Sequence, residues 1–152
     1  PFILSYTFLL RYYQDIFHEG LSHHLQHSSK TSPRNHSSSL KIMNARFVDS
    51  NEDNYLNRNE TAKVIFEIRN NGAHTLYDVV PTVIETTGNK HIFISPSVHV
   101  ESIAPGHVIR YTAMVKADNR LKNGTACFCV SVIQGGKTIS KVNQFDIPTK
   151  SR

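Results

Sequence analysis

One stretch of this chain combines residue types and spacing that suit a definite chemistry. It runs from Asp49 to Glu60 and reads Asp-Ser-Asn-Glu-Asp-Asn-Tyr-Leu-Asn-Arg-Asn-Glu. Counted from Asp49, oxygen-bearing side chains fall at positions 1, 3, 5, 9 and 12, namely Asp49, Asn51, Asp53, Asn57 and Glu60. Tyr55, at position 7, offers a backbone carbonyl. A hard cation takes about six to eight oxygens, and a closing Glu can bind through both of its own. The spacing therefore predicts a structural Ca²⁺ loop with Asp49, Asn51, Asp53, Tyr55, Asn57 and Glu60 as ligands. Affinity is expected in the weak range of extracellular modules, roughly 10⁻⁴–10⁻³ M. Leu56, at position 8, is the apolar anchor such a loop needs. Position 6 is Asn54 where Gly is usual, and Asn is the next residue to tolerate a positive φ. Glu52 is expected to point outward. A second reading is a turn rich in Asn and Asp that caps its own backbone. That reading does not call for Glu at position 12 or Leu at position 8.

The elements that must hold this loop have a period of two. Leu40–Val48 and Thr61–Arg69 flank it; in the second, Ala62, Val64, Phe66 and Ile68 share one face against Lys63, Glu67 and Arg69. Leu76–Glu85, His91–Ser95, Val98–Ile103, a strand through Ile109–Val115, Thr125–Ile133 and Thr138–Ile147 complete the set. Turn chemistry separates them at Asn70-Asn71-Gly72, Thr87-Gly88-Asn89, Pro105-Gly106, Asn123-Gly124 and Gly135-Gly136. Seven to eight short strands with no helix between them predict an all-β, Ig-like antiparallel β-sandwich over residues 40–149. The calcium loop would bridge two strands, so it is not an EF-hand.

The chain has 152 residues, 39% apolar and 19% charged, with two cysteines. These figures exclude a collagenous, disulfide-rich or solvating disordered chain. Residues 2–10 (FILSYTFLL) are apolar but too short to span a bilayer, which takes roughly 20. They read either as the remnant of an anchor or upstream domain, or, with Leu9, Tyr13, Ile16, Phe17 and Leu21 at helical spacing, as an N-terminal helix over 1–21. Because the first residue is Pro, a missing upstream part is expected. Residues 22–39 (SHHLQHSSKTSPRNHSSS) read as a disordered Ser/His-rich linker.

The run Asn44-Ala-Arg-Phe47-Val-Asp49, continued by Asn57-Arg-Asn-Glu60-Thr-Ala-Lys-Val64-Ile-Phe66-Glu-Ile68-Arg-Asn70-Asn71-Gly72, Leu76-Tyr-Asp78-Val79 and Ile103-Ala-Pro105-Gly106, resembles bacterial Ig-like surface domains of the cell-adhesion-related, CARDB-like type. The resemblance rests on a strand ending in an Asn-x-Gly turn and an Ile-x-Pro-Gly turn before a long strand, and covers about 110 residues. Asp78 stands where that family often has Asn. The resemblance implies a non-catalytic extracytoplasmic module appended to an envelope protein or secreted hydrolase, and it transfers no catalytic residue.

The remaining candidates carry less. His23, His24 and His27 lie in the polar segment, and His18-Glu19 misses the spacing of a His-Glu-x-x-His zinc helix. Cys127 and Cys129 share one strand face at a separation too long for a disulfide, which predicts two buried thiols. The sequons at Asn35, Asn59 and Asn123 read as incidental, and no Gly-x-Ser-x-Gly elbow or phosphate-binding glycine loop exists. Lys and Arg, 17 against 12 Asp and Glu for a net charge of +5, are spread along the chain on outward strand positions. They predict a solvated surface, with no nucleic-acid partner. The expected function is a non-catalytic interaction or spacer module of the cell envelope, periplasm or secreted fraction. Its partner would be a protein or glycan at the cell surface, or an upstream domain of the same polypeptide, with a possible membrane anchor upstream. The alternative is an accessory domain C-terminal to a hydrolase such as a peptidase.

Overall fold

The computed structural model describes residues 39–152. The expected N-terminal helix, the linker up to Ser38 and the His-rich cluster lie outside the described residues. In chain order the strands are β1 (Leu40–Val48), β2 (Leu56–Asn57), β3 (Thr61–Asn70), β4 (Leu76–Glu85), β5 (Ile92–Ile94), β6 (Val100–Ile103), β7 (Val108–Ala117), β8 (Gly124–Gln134), β9 (Lys137–Thr138) and β10 (Asn143–Lys150). Among the described residues there is no helix. One sheet has the order β1-β3-β7-β5; the other has the order β2-β10-β8-β4-β6, with β9 on β8.

Period-two alternation builds the layer between the sheets. Ala62, Val64, Phe66 and Ile68 on β3 and Tyr111, Ala113, Val115 and Ala117 on β7 face Val79 and Val83 on β4 and Ala126, Phe128, Val130 and Val132 on β8. Phe66 and Phe128 are fully buried. Phe128 lies 6.1 Å from Phe47 of the opposite sheet and 5.9 Å from Phe145 on its own. Each buried aromatic or large aliphatic side chain contributes roughly 1.5–3 kcal/mol relative to exposure, and the offset ring pairs add to it.

Asn70 closes one end of this layer and is itself fully buried. Its side-chain amide donates to His74 O and Ile103 O, both at 2.8 Å, and its Oδ1 accepts from Gly72 N at 2.9 Å. Its backbone carbonyl accepts from Gly106 N at 2.7 Å, and its backbone N–H donates to His107 O at 3.1 Å. The Asn-Asn-Gly and Pro-Gly turns are thus hydrogen-bonded through one residue. Gly106 has φ +75°, and a Cβ on Gly72 would meet Ser39 Cβ at 3.0 Å, so both positions need glycine for local reasons.

The strand expectation is corrected in two respects. Among the described residues ten strands form rather than seven to eight, because two of the ten are two-residue pieces, too short to show a period. The sheets are also not wholly antiparallel, since β2 pairs parallel to β10, Leu56 against Thr149 and Asn57 against Lys150. Thr138–Ile147, expected as one strand, is broken into β9 and β10. There Ser140 Oγ accepts from Val132 N at 2.9 Å, so a side chain takes the place of a ladder carbonyl. Asp78 has φ +56°, which explains why its position suits Asn or Asp.

Replacing Asn70 by Ala strands the buried carbonyl of Ile103 and frees the Asn-Asn-Gly turn, while the backbone bonds to the Pro-Gly turn remain. Unmade buried hydrogen bonds cost about 1–3 kcal/mol each. Asn70→Ala is expected to lower the stability read from the urea midpoint by about 3 kcal/mol, where Asn71→Ala changes it little.

Candidate functional site

The Asp49–Glu60 segment leaves the end of β1, returns through β2 and enters β3. Leu56 is fully buried, as its place in the spacing anticipates, and holds the loop on the core. Backbone bonds fix the exit: Arg58 N donates to Lys150 O at 2.9 Å, and Ala117 N donates to Glu60 O at 2.9 Å. The Arg58 guanidinium donates to Leu121 O through Nε at 3.3 Å and a terminal nitrogen at 3.2 Å. Asn54 has φ +61°, the left-handed conformation that Gly would otherwise supply, and Glu52 and Asn59 are left-handed too. Glu52 is exposed, as expected.

The expected ligand residues are linked through hydrogen bonds. Asp49 is buried and its Oδ2 accepts from Asn54 N at 2.9 Å. Asp53 Oδ1 accepts from Tyr55 N at 2.9 Å, and its Oδ2 accepts from the side-chain amides of Asn51 and Asn57, both at 3.1 Å. Asn51 Oδ1 accepts in turn from Asp53 N at 3.3 Å. Glu60 is buried and uses both oxygens: Oε1 takes Ser50 Oγ at 2.9 Å and Ser50 N at 3.2 Å, while Oε2 takes Asn57 N at 2.8 Å and Asn57 Nδ2 at 3.1 Å. A single amide nitrogen, that of Asn57, therefore lies between the carboxylates of Asp53 and Glu60. Burial alone would raise the Asp53 pKa, but the Tyr55 N–H, the Asn57 amide and hydrogen bonding to Asp49 and Asn51 outweigh it and hold the carboxyl below its ordinary value.

Ser50 and Lys150 belong to this site although the ligand spacing does not count them. Ser50 sits at position 2, where spacing assigns no ligand, yet it caps Glu60. The Lys150 ammonium lies 3.4 Å from the centre of the Tyr55 ring. Its position across the β2–β10 pair follows from a contact between distant segments, for which no local signal exists. Tyr55 and Lys150, with Asn123, Gly124, Thr149 and Arg152, line an open hollow of about 440 Å³ beside the loop.

Among the described residues, no group of three or more His, Cys, Asp and Glu is gathered so as to hold a metal ion through those side chains alone. The loop offers a mixed set instead, three carboxylates and two side-chain amides, in which direct bonds join Asn51 to Asp53 and Asn57 to both Asp53 and Glu60. Cys127 and Cys129 are both buried, and Gln144 Nε2 lies 2.9 Å from Cys127 Sγ. A further buried carboxylate, Glu85, accepts from Thr87 N at 3.0 Å, Asn89 N at 3.2 Å and Cys127 N at 3.1 Å, which makes it a clasp for its own turn.

No protein-family model and no curated protein matches the chain. Among solved structures it is similar to the Escherichia coli alpha-2-macroglobulin fragment that spans domain MG7 to the C-terminus. The TM-score is 0.52 at 14% identity, over 74% of this chain and 17% of that one. A glycoside hydrolase family 2 beta-glucuronidase is matched at TM-score 0.48 and 14% identity, over 74% of this chain and 12% of that one. At these identities the first likeness concerns the fold alone, and it agrees with an Ig-like β-sandwich for the described residues. The chain spans under a fifth of either protein.

A carboxylate whose folded pKa is depressed adds stability that is complete above the unfolded value and is lost as pH falls through the folded one. For Asp53 this loss sets in around and below the ordinary 3.8. Asp53→Asn is therefore expected to flatten the acid limb of urea midpoint against pH. An acid limb identical to that of the parent chain would show that the loop bonds do not favour the ionised form.

Proposed function

We propose that this chain is a non-catalytic β-sandwich module of a larger envelope or secreted protein, related to the CARDB-like domains, whose Asp49–Glu60 loop is a seat for Ca²⁺. The sandwich reading is supported by a two-sheet fold similar to one part of a much longer protein. In such a module the sheets supply a rigid body, and recognition of a protein or glycan falls to its loops or a sheet face.

One observation carries the calcium reading. The Asn57 amide nitrogen stands 3.1 Å from Asp53 Oδ2 and 3.1 Å from Glu60 Oε2, so a partial positive charge already bridges two carboxylates. Turning that amide over would bring its oxygen beside both, an arrangement that only a cation stabilises. Asp49, Asn51, Asp53, Asn57 and Glu60 then offer oxygens alone, the donor chemistry of a hard cation, and Tyr55 offers its carbonyl. The ion would supply no chemistry beyond charge neutralisation and order. Buried Leu56 and the β2–β10 pair would pass that order on to the sheet.

Calorimetric titration and thermal melts of the whole chain, with Ca²⁺ or with chelator, test this reading. At tenfold excess over Kd, binding stabilises by about 1.4 kcal/mol, a rise of a few degrees in Tm. The rise is expected to vanish in Asp53→Ala and Asn57→Leu. Absence of both heat and shift at millimolar Ca²⁺, or a shift that survives Asp53→Ala, overturns the calcium seat.

A further inference from the structure

Strand register gathers charge that looks dispersed along the sequence. In the four-stranded sheet the inward row is Ala62, Val64, Phe66 and Ile68 on β3 and Tyr111, Ala113 and Val115 on β7, so the alternate residues face out. Pairing sets Lys41 beside Arg69 and Val108, Met43 beside Glu67 and Arg110, and Arg46 beside Ile65 and Thr112. It also sets Val48 beside Lys63 and Met114, and Thr61 beside Lys116 and Phe93. Lys41, Arg46, Lys63, Arg69, Arg110 and Lys116 thus share one face with a single carboxylate, Glu67. Glu67 is already engaged by Arg110 at 3.6 Å and by the Asn44 amide at 2.8 Å. Among the described residues, the other five cations form no ion pair. The opposite sheet differs: the residues of its β4 and β8 rows that face away from the core, among them Thr82, Ile84, Cys127, Cys129 and Ser131, are uncharged and buried.

The same cationic face also bears exposed apolar side chains. Val48, Phe93, Val108 and Met114 are between 37% and 54% exposed, although each could have been polar without disturbing the core. We infer that the outer face of the β1-β3-β7-β5 sheet docks on an anionic lipid bilayer surface, its Lys and Arg set among the headgroups and Phe93 and Met114 pressed into the interface. Charge complementarity selects an anionic partner. The cations spread across three neighbouring strands, β1, β3 and β7, which suits an extended surface better than a single threaded polymer. Single-stranded nucleic acid would want a series of stacking rings, and among the described residues Phe93 is the only aromatic on this face. Cations with interspersed apolar groups are the composition that holds a protein at a charged interface. This proposal uses neither the calcium loop nor its ligands, and it stands or falls separately.

The test is co-sedimentation of the whole chain with phosphatidylserine-containing vesicles and with pure phosphatidylcholine vesicles. Binding is expected to the first only, and to weaken with salt. Neutralising one cation should weaken it about fivefold, so Arg46→Gln, Lys63→Gln and Lys116→Gln together should weaken it about a hundredfold. Phe93→Ser should weaken it further, while Lys137→Gln, on the other sheet, should leave it unchanged. All four positions on the face are exposed and lack an ion pair, so melting temperatures should be retained. Failure to distinguish the two vesicle types, equal loss in Lys137→Gln, or retention on heparin or single-stranded DNA without vesicle binding would each overturn the assignment.

Discussion

The buried side chain of Asn70 is the constraint on which much of this molecule depends. It is the last residue of β3 in one sheet, yet its amide holds the carbonyl of Ile103, which ends β6 in the other. Hydrophobic contact alone lets two sheets slide and rotate over one another, since it has no direction. A fully buried amide with both donors and its acceptor used does have direction, because any slip leaves it unpaired at a cost of order 1–3 kcal/mol per group. Asn70 therefore fixes the relation of the sheets at one end, and Phe47, Phe128 and Phe145 fill the space between them.

The Asp49–Glu60 loop applies the same rule to a connection. Its carboxylates are tied down by backbone N–H groups and amides, not by lysine or arginine. A carboxylate held by neutral donors has no cation to offset its charge, and six Asn or Asp side chains over this short stretch bend the chain tightly enough to gather such groups. The loop is thus hydrogen-bonded and anionic, while the outer face of the four-stranded sheet is cationic. One overall charge near +5 conceals two surfaces of opposite sign.

Much of the architecture is legible along the chain because burial on one face writes a period of two into each long strand. Ala62, Val64, Phe66 and Ile68 on β3 and Tyr111, Ala113 and Val115 on β7 are examples, and Leu56 marks the loop's anchor. What is not legible arises from pairing between distant segments. Leu56-Asn57 is too short to show a period, and its parallel partner is Thr149-Lys150. Ser50 caps Glu60 from a position that ligand spacing passes over. The cationic face is invisible for the same reason: Lys41, Arg69 and Arg110 become neighbours through register, which no local pattern encodes.

The parallel pairing of β2 with β10 also imposes an order of events on folding. β1 and β3 lie close in the chain and can pair early, which closes the loop only at its base. Its far side is held by the carbonyl of Lys150 and by the ring contact of Lys150 with Tyr55. Contacts this distant in sequence form late, because their closure entropy is met only after nearer pairs exist. On a ribosome, the loop stays unfinished until β10 has emerged. The arrival of β10 thus completes both the six-stranded sheet and the anionic loop, so an intact loop reports that the last strand is in place.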